Sequence, residues 1–234
     1  MDERFERTEA LIGKDAVERL SRSHVAVFGV GGVGGYVVEA LVRSGVGRIT
    51  LVDSDTVSKS NINRQIIATE KTVGRYKTEV MRERIEEINP LCRVNLKTCF
   101  FDEKTKSDFD FSDYDYVIDA IDTVSSKLLL IEEAIRANVK IISSMGTGNK
   151  LLPTELKISD ISKTSVCPLA RVMRRELKLR GINHLKVLYS EEIPKKITVN
   201  DGDKTRHAPA SIAFVPSVAG LIIAGEVIRE ISEI

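Results

Sequence analysis

HVAVFGVGGVGGYVVEALVRSGVGRITLVDSD, residues 24–55, carries the strongest structural signal in this 234-residue chain. A β-branched run leads into GVGGVG (29–34), a helical pattern follows, and a second apolar run ends at Asp53. Glycines at this spacing let a phosphate approach the backbone at the positive end of a helix. A carboxylate at the end of the second strand can accept hydrogen bonds from both ribose hydroxyls. The stretch therefore predicts a nucleotide site, which would suit NAD as well as ATP.

Strand and helix patterns alternate through most of the remaining chain. They predict an α/β fold, a doubly wound and mostly parallel sheet of the Rossmann-like type with a C-terminal extension. We expect one domain over residues 1–234, made of a helical lead-in (1–22), a nucleotide-binding core (24–146) and a C-terminal lobe (147–234) with a mobile loop at about 190–210. The predicted strands are 24–29, 48–53, 93–99, 114–121, 139–145, 154–160, 184–190 and 211–216. The predicted helices are 4–20, 33–44, 75–88, 124–137, 168–180 and 217–231.

The charge of the chain is balanced overall but uneven along its length. The formal net charge is +1, which excludes a general electrostatic attraction to nucleic acid. Residues 162–207, however, hold eleven Lys and Arg against five Asp and Glu. This basic segment indicates an anionic partner.

Cysteine spacing and hydropathy indicate which classes of protein the chain does not resemble. Cys92, Cys99 and Cys167 form no C-x-x-C pair, so the pattern predicts neither a structural zinc site nor a disulfide framework. The first ten residues have no apolar signal core, and the apolar stretch 208–225 is divided by two prolines. We therefore expect a cytoplasmic protein without a membrane partner.

The segment after Asp53 favours a triphosphate over a dinucleotide. It supplies Ser60, Asn61, Arg64 and then Lys77, whereas a glycine turn cradles a pyrophosphate without such cations. A triphosphate carries about two more negative charges and is usually bound with basic side chains and a divalent metal. Asp122, after the fourth strand of the core, is a candidate Mg²⁺ ligand. The hypothesis is therefore ATP with Mg²⁺.

Four motifs in this order resemble the ubiquitin-activating-type (ThiF-like) adenylyltransferases. They are GVGGVG (29–34), LVDSDTVSKSNINRQ (51–65), VGRYK (73–77) and DAIDTVSSK (119–127). The resemblance implies a nucleotide site formed by Gly29, Gly31, Gly32, Gly34, Asp53, Asp55, Ser60, Asn61, Arg64, Gln65, Lys77, Asp122 and Thr123. It also implies catalytic roles for Arg64, Lys77, Asp122 and Arg7, with Mg²⁺ on Asp122. Arg7, in the element RFER, would act across a homodimer on the partner's phosphates.

The last third resembles one branch of this superfamily, the bacterial tRNA threonylcarbamoyladenosine dehydratases. The matching blocks are KT…PLAR…R…LK, VLYSEE.P and FVPSVAGLIIAGEVI, and Cys167 departs from the Asp expected before the proline. The resemblance implies an ATP-dependent enzyme that adenylates a carboxylate on tRNA and closes a ring by intramolecular attack, releasing AMP and pyrophosphate. The residues expected to contact tRNA are Arg171, Arg174, Arg175, Lys178, Arg206 and His207.

Several other interpretations remain open at this point. The chain could instead activate the C-terminal carboxylate of a ubiquitin-like sulfur carrier, or bind NAD without adenylating anything. Asp122 could be a helix N-cap, Lys77 an exposed helix residue, and the arginines of 171–175 a solvated face. Cys167 is more consistent with a small buried sulfur than with a reactive thiol. Which tRNAs are used, and whether a sulfur or redox protein associates, is not indicated.

Overall fold

The computed structural model describes residues 2–197 and 209–234, which form seven strands and seven α-helices. The strands are β1 (His24–Phe28), β2 (Arg48–Val52), β3 (Arg93–Lys97), β4 (Tyr116–Asp119), β5 (Lys140–Ser144), β6 (Leu156–Asp160) and β7 (Lys186–Ser190). The helices are α1 (Glu6–Ile12), α2 (Lys14–Arg22), α3 (Gly34–Arg43), α4 (Lys77–Ile88), α5 (Val124–Arg136), α6 (Pro168–Leu179) and α7 (Phe214–Ser232).

All seven strands belong to one sheet in the order β3-β2-β1-β4-β5-β7-β6. Every pairing is parallel except that of β6 with β7. The chain moves outward in one direction from β1 to β3 and in the other from β4 onward. This reversal opens a crevice beyond the carboxyl ends of β1 and β4, where ligands bind in such sheets. The prediction of a doubly wound, mostly parallel α/β fold is confirmed.

Both faces of the sheet are covered, so the inner strand β1 is apolar from Val25 to Phe28. Val25 and Val27 of β1 pack into a core shared with α3, α4 and α7, while Ala26 and Phe28 pack into the opposite core with α5. A third cluster joins α5, α6 and β7. Alternation of side chains between the two faces explains why a strand buried on both sides needs no polar positions.

Helix α7 crosses α3 at close range and brings its own beginning to the crevice. A Cβ on Gly220 would lie 2.4 Å from the carbonyl oxygen of Val33, so only glycine permits this approach. Four residues earlier, Pro216 lines the crevice. The packing of a C-terminal helix therefore completes a site that begins near residue 29.

Two sequence predictions about secondary structure are wrong. The predicted continuous helix over 4–20 is broken into α1 and α2 at Gly13, whose φ of 86° is not helical. The predicted strand at 211–216 is absent, and α7 begins at Phe214 instead. Pro216 lies in the first turn of that helix, where its missing N–H has no carbonyl to bind.

The polar segment before α7 is described only in part. Residues 191–197 and 209–210 form neither helix nor strand, and the rest of the loop expected at about 190–210 lies outside the described residues. Among the helices that the structure describes, none combines the length and apolar character needed to cross a membrane.

Candidate nucleotide site

A cavity of about 780 Å³ lies beyond the carboxyl ends of β1, β2, β4 and β5. Most of the predicted nucleotide-binding residues meet there. They are Gly29, Gly31, Gly32, Asp53, Asp55, Asn61, Arg64, Gln65, Lys77, Asp122 and Thr123. The opposite wall is formed by Met145–Gly148, Leu169, Pro209 and Ser211, which the sequence analysis did not assign to the site.

Three glycines of the turn show two different physical roles. Gly29 has a φ of 94°, and a Cβ there would lie 2.6 Å from the carbonyl oxygen of Ala120. A Cβ on Gly34 would lie 1.8 Å from the carbonyl oxygen of Gly29. At Gly31 the nearest atom to a Cβ would be 3.8 Å away, on the Gln65 side chain. Gly29 and Gly34 therefore allow the turn to close, whereas Gly31 leaves an open approach for a ligand.

Two residues predicted to bind the nucleotide lie outside the cavity lining. Gly34 is buried beneath the turn, as its packing role requires. The Ser60 hydroxyl is exposed and shares a hydrogen bond of 2.9 Å with the Ser58 hydroxyl. The backbone oxygen of Ser60 accepts a hydrogen bond from the Arg64 side chain and so helps to orient it. The Ser60 hydroxyl is therefore not part of the cavity lining.

Lys77 forms the buried cationic centre of the site. The residue is only 5% exposed although it opens α4, so the exposed-residue interpretation is wrong. Its Nζ lies 2.7 Å from Oδ2 of Asp55 and 3.8 Å from Oδ2 of Asp53. The Lys77 ammonium is thus held between two carboxylates at the cavity wall.

Asp53 connects the glycine turn to the second strand. Its Oδ2 accepts a hydrogen bond of 2.7 Å from the Val30 amide, and its Oδ1 accepts one of 2.8 Å from the Asp55 amide. Burial raises the pKa of Asp53, and the neighbouring Lys77 charge opposes that rise. Each carboxylate oxygen keeps a second lone pair that can accept from a ribose hydroxyl.

Arg64 and Gln65 face the cavity from the segment after β2. The Arg64 Nη1 donates to the Ser60 backbone oxygen at 3.0 Å and to Asn63 Oδ1 at 2.9 Å. Because both acceptors are uncharged, the guanidinium charge stays available to an anion. Gln65 is buried, and its Oε1 has no hydrogen-bond partner among the described residues. A bound ligand or water would satisfy that atom.

Asp122 lies in the turn between β4 and α5 and is exposed within the cavity. The N-cap of α5 is Thr123, and its side chain makes no capping bond. The N-cap interpretation of Asp122 is therefore wrong, and its only side-chain hydrogen bond among the described residues comes from Thr123 Oγ1 at 3.3 Å. Within residues 2–197 and 209–234, no three His, Cys, Asp or Glu side chains form a ready-made metal site. A single carboxylate is nevertheless what Mg²⁺ needs when phosphates supply further oxygens.

A buried ion pair beneath this turn was missed by the sequence analysis. Lys127 and Asp119 are fully buried, with Nζ of Lys127 2.8 Å from Oδ2 of Asp119. The same Nζ donates to the backbone oxygens of Ser144 at 2.8 Å and Ile121 at 3.1 Å. The pair therefore ties the Asp122 turn to the end of β5. A lysine immediately before the apolar run LLLI was the available signal.

The predicted tRNA-contacting residues have different environments. Arg174 donates from Nη1 to the backbone oxygen and hydroxyl of Thr164, at 2.8 and 2.6 Å, so its charge helps to fix a loop. Arg175 is exposed and paired with Glu176. Arg171 and Lys178 are exposed on the same helix. Arg206 and His207 lie outside the described residues.

Arg7 and Cys167 lie away from the cavity lining. Arg7 is exposed in α1, which follows Phe5, and Phe5 packs beside Gly45 just before β2. This is the amino edge of the sheet, opposite the crevice, so Arg7 does not reach the cavity of its own chain. Cys167 is 2% exposed, as expected of a small buried sulfur.

Comparison with known proteins agrees with this geometry. The ThiF family model matches residues 5–234. A Bacillus subtilis protein named tRNA threonylcarbamoyladenosine dehydratase is 47% identical, over 97% of this chain and 94% of that protein. Crystal structures of Escherichia coli tRNA N6-threonylcarbamoyladenosine dehydratase, TcdA, in complex with AMP and with ATP superpose with TM-scores of 0.90 and 0.88. The sequences of these two structures are 33% and 34% identical to this chain. Each superposition covers 98% of this chain and 94% of the crystallised chain. With its motifs, its fold and nearly its whole length matched, this chain belongs to the ThiF family.

Proposed function

We propose that this protein is an ATP-dependent tRNA threonylcarbamoyladenosine dehydratase. The observation that carries the proposal is a single cavity in which the glycine turn, Arg64, Lys77 and Asp122 face a second wall made by the C-terminal part of the chain. The names of the Bacillus subtilis relative and of the Escherichia coli structures with AMP and ATP support the same activity. The chain would act as one adenylating domain, since β6, β7 and α7 share its sheet and core.

The reaction is the loss of one water between the carboxylate and a ureido nitrogen of the same modified base. Hydroxide leaves too poorly at neutral pH, so a carboxylate oxygen first attacks the α-phosphorus of ATP and releases pyrophosphate. The ureido nitrogen then attacks the acyl carbon, loses its proton, and expels AMP. Because this second step is intramolecular, a high effective molarity replaces a protein nucleophile.

The main task of the protein is to let two anions meet. The open approach at Gly31 exposes backbone amides to the phosphates, and among the described residues Arg64 is bound to neutral acceptors only. Lys77 adds a buried ammonium fixed by Asp53 and Asp55. Charges held in place before the reaction stabilise the negative transition state without reorganisation.

Asp122 would hold Mg²⁺ together with phosphate oxygens. The exposed carboxylate in the cavity fits that role, and a bound Mg²⁺ would supply neutralisation of the triphosphate charge. Asp122 keeps its place because the Lys127–Asp119 pair anchors the turn that carries it.

A homodimer in which Arg7 acts on the partner's phosphates is also proposed. The outward face of α7 is apolar in its first three turns, with Phe214 and Leu221 exposed and Gly225 open to solvent, and the exposed Arg229 follows on the same face. This 19-residue helix spans about 28 Å, from the cavity at Pro216 to the end that accepts a hydrogen bond from Arg19 of α2. If two copies pair α7 antiparallel about a two-fold axis, the α1–α2 end of each copy approaches the cavity of the other.

The exposed basic side chains of α6 are proposed to contact the tRNA backbone. Arg171, Arg175 and Lys178 lie at helical spacings on one side of that helix. Leu169, from its first turn, lines the cavity, so the same helix would connect the backbone contact with the modified base. Such contacts lose affinity steeply as salt is raised. A tRNA substrate also favours a cytoplasmic location.

The proposal is tested by following AMP and pyrophosphate from ATP and Mg²⁺ with different acyl substrates. We expect product formation with tRNA that carries threonylcarbamoyladenosine and none with the same tRNA lacking the modification. The discriminating substrate is a ubiquitin-like sulfur carrier ending in a free carboxylate. Turnover with that carrier but not with tRNA would overturn the proposal in favour of a sulfur-carrier adenylyltransferase.

A further inference from the structure

Asn149 lies where the chain leaves β5 along the cavity wall. Its φ is 61°, a left-handed conformation that residues other than glycine rarely adopt, although asparagine tolerates it better than most. The residues just before it, Gly146–Gly148, line the cavity. A strained backbone at this position calls for surrounding contacts that hold it.

Three hydrogen bonds join Asn149 to two distant segments. Its N–H donates to the Ala210 oxygen at 2.8 Å, and its Oδ1 accepts from the Ala210 amide at 2.8 Å. Its own backbone oxygen accepts from the Lys195 amide at 2.8 Å. Asn149 thus holds two later segments of the chain, one at Lys195 and one at Ala210, which is 61 positions away in sequence.

The segment held by Asn149 is itself a cavity wall. Pro209 and Ser211 line the cavity, and the Ser211 oxygen accepts a hydrogen bond of 3.0 Å from Asn63 Nδ2. A Cβ on Gly148 would lie 2.6 Å from Cβ of Pro209, so the two segments are in close contact. The position of this wall therefore depends on Asn149.

One end of this wall meets the proposed phosphate site, because the Asn63 side chain that donates to the Ser211 oxygen also accepts from Arg64. The other end, beside Gly148, lies away from the proposed ribose contact. The ribose carboxylate Asp53 follows β2, whereas Gly146–Gly148 follow β5, on the far side of β4. The part of the cavity beside Gly146–Gly148 and Pro209 is thus left for the base that carries the carboxylate. We propose that Asn149 is a positioning residue for the tRNA substrate, an inference that rests on the proposed function.

Matched substitutions separate the side-chain hydrogen bond from the backbone conformation. Asn149→Gly keeps the left-handed conformation accessible and removes Oδ1, whereas Asn149→Asp keeps an acceptor oxygen in the same place. For the glycine variant we expect the KM for tRNA to rise about threefold to tenfold, the worth of one hydrogen bond. Its kcat and its Kd for ATP should stay at wild-type values. The aspartate variant should restore the KM, and hydrogen exchange at the Ala210 amide should be faster in the glycine variant than in either other protein.

Two outcomes would overturn the inference. One is a glycine variant whose KM for tRNA equals that of the wild type, and the other is a rise in KM matched by an equal loss of ATP affinity. If the wild type itself fails to dehydrate tRNA, the proposed function fails and the inference fails with it. If the wild type is active and the glycine variant is indistinguishable from it, the inference alone fails.

Discussion

Asp122, the proposed Mg²⁺ ligand, and Lys77, a proposed phosphate ligand, have very different environments. Asp122 is exposed and accepts one hydrogen bond of 3.3 Å from Thr123, whereas Lys77 is buried between Asp53 and Asp55. A loss of activity in an Asp122 variant would therefore reflect the chemistry alone, whereas in a Lys77 variant it would also reflect a loss of stability. Only the exposed residue offers a test of chemistry that does not disturb the fold.

Asp122→Asn should abolish AMP formation without unfolding the protein. We expect turnover to fall by about a hundredfold or more, because a charge that positions cations at the phosphates is lost. The free energy of unfolding should change by less than about 0.5 kcal/mol, as for other exposed substitutions. Turnover and denaturant unfolding of the same preparation check both expectations. Wild-type turnover in this variant would refute the metal-ligand assignment.

Lys77→Ala serves as the contrasting variant. Its removal leaves the buried Asp53 carboxylate without its nearest cation, so we expect the free energy of unfolding to fall by roughly 3 kcal/mol in addition to the loss of activity. Asp55 should contribute little to that loss because its side chain is 65% exposed. An unchanged unfolding midpoint would contradict the structural role of Lys77.

The glycine turn allows a prediction for a whole element, the β1–α3 connection. In Gly34→Ala the new Cβ would meet the Gly29 carbonyl oxygen at 1.8 Å, a backbone clash that no side chain can relieve, so we expect little folded protein. In Gly31→Ala the methyl group has room, so the protein should fold but bind ATP more weakly. Circular dichroism and ATP titration of both variants compare folding with binding. Wild-type ATP affinity in Gly31→Ala would contradict binding of the ATP phosphates at this turn.

The beginning of β1 gives a prediction for pH dependence. Burial lowers the pKa of His24 below its ordinary 6.5, while its Nδ1 and Nε2 lie 2.7 and 2.8 Å from the Asp113 oxygen and the Thr50 hydroxyl. The unfolded chain then binds a proton more readily than the folded one, so stability is lost as pH falls through 6.5 toward the folded pKa. We expect the free energy of unfolding to fall less over this range in His24→Gln. If the unfolding free energy changed equally with pH in both proteins, His24 would not be the source of the pH dependence.

The sequence predicted the elements that follow local rules. β1, β2 and β4 are largely apolar, whereas β3 and β6 alternate apolar with polar residues. Gly29, Asp53 and Asp122 follow the ends of β1, β2 and β4. Because parallel strands end at one edge, the convergence of these residues in a cavity could be expected from their order in the sequence. The strand predicted at 211–216 failed because Pro216 is equally acceptable in the first turn of a helix.

Features that depend on tertiary packing could not be predicted. Lys77 is buried and pairs with Asp55, 22 positions earlier. Asn149 is held by hydrogen bonds to Lys195 and Ala210, which are also distant in sequence. A local pattern gives no information on such pairs. The roles of Lys127 and of the 209–211 wall became visible only with the assembled sheet.

At the scale of the whole molecule, the proposed homodimer predicts that two inactive variants complement each other. Arg7→Ala lacks the donated arginine and Asp122→Asn lacks the metal ligand, but a mixed dimer has one complete site. After subunit exchange in an equal mixture we expect about a quarter of wild-type activity, since half of the dimers are mixed and each has one working site. Labelled subunits establish that exchange has occurred. No recovery in an exchanged mixture would contradict action of Arg7 across the dimer.

The central claim is that this cavity adenylates a carboxylate on tRNA so that a ring can close. Nucleoside mass spectrometry of tRNA incubated with the protein, ATP and Mg²⁺ tests it most directly. We expect threonylcarbamoyladenosine to be replaced by a nucleoside lighter by one water, and only when ATP is present. An unchanged nucleoside mass, with protein shown to bind ATP in the same sample, would contradict the claim.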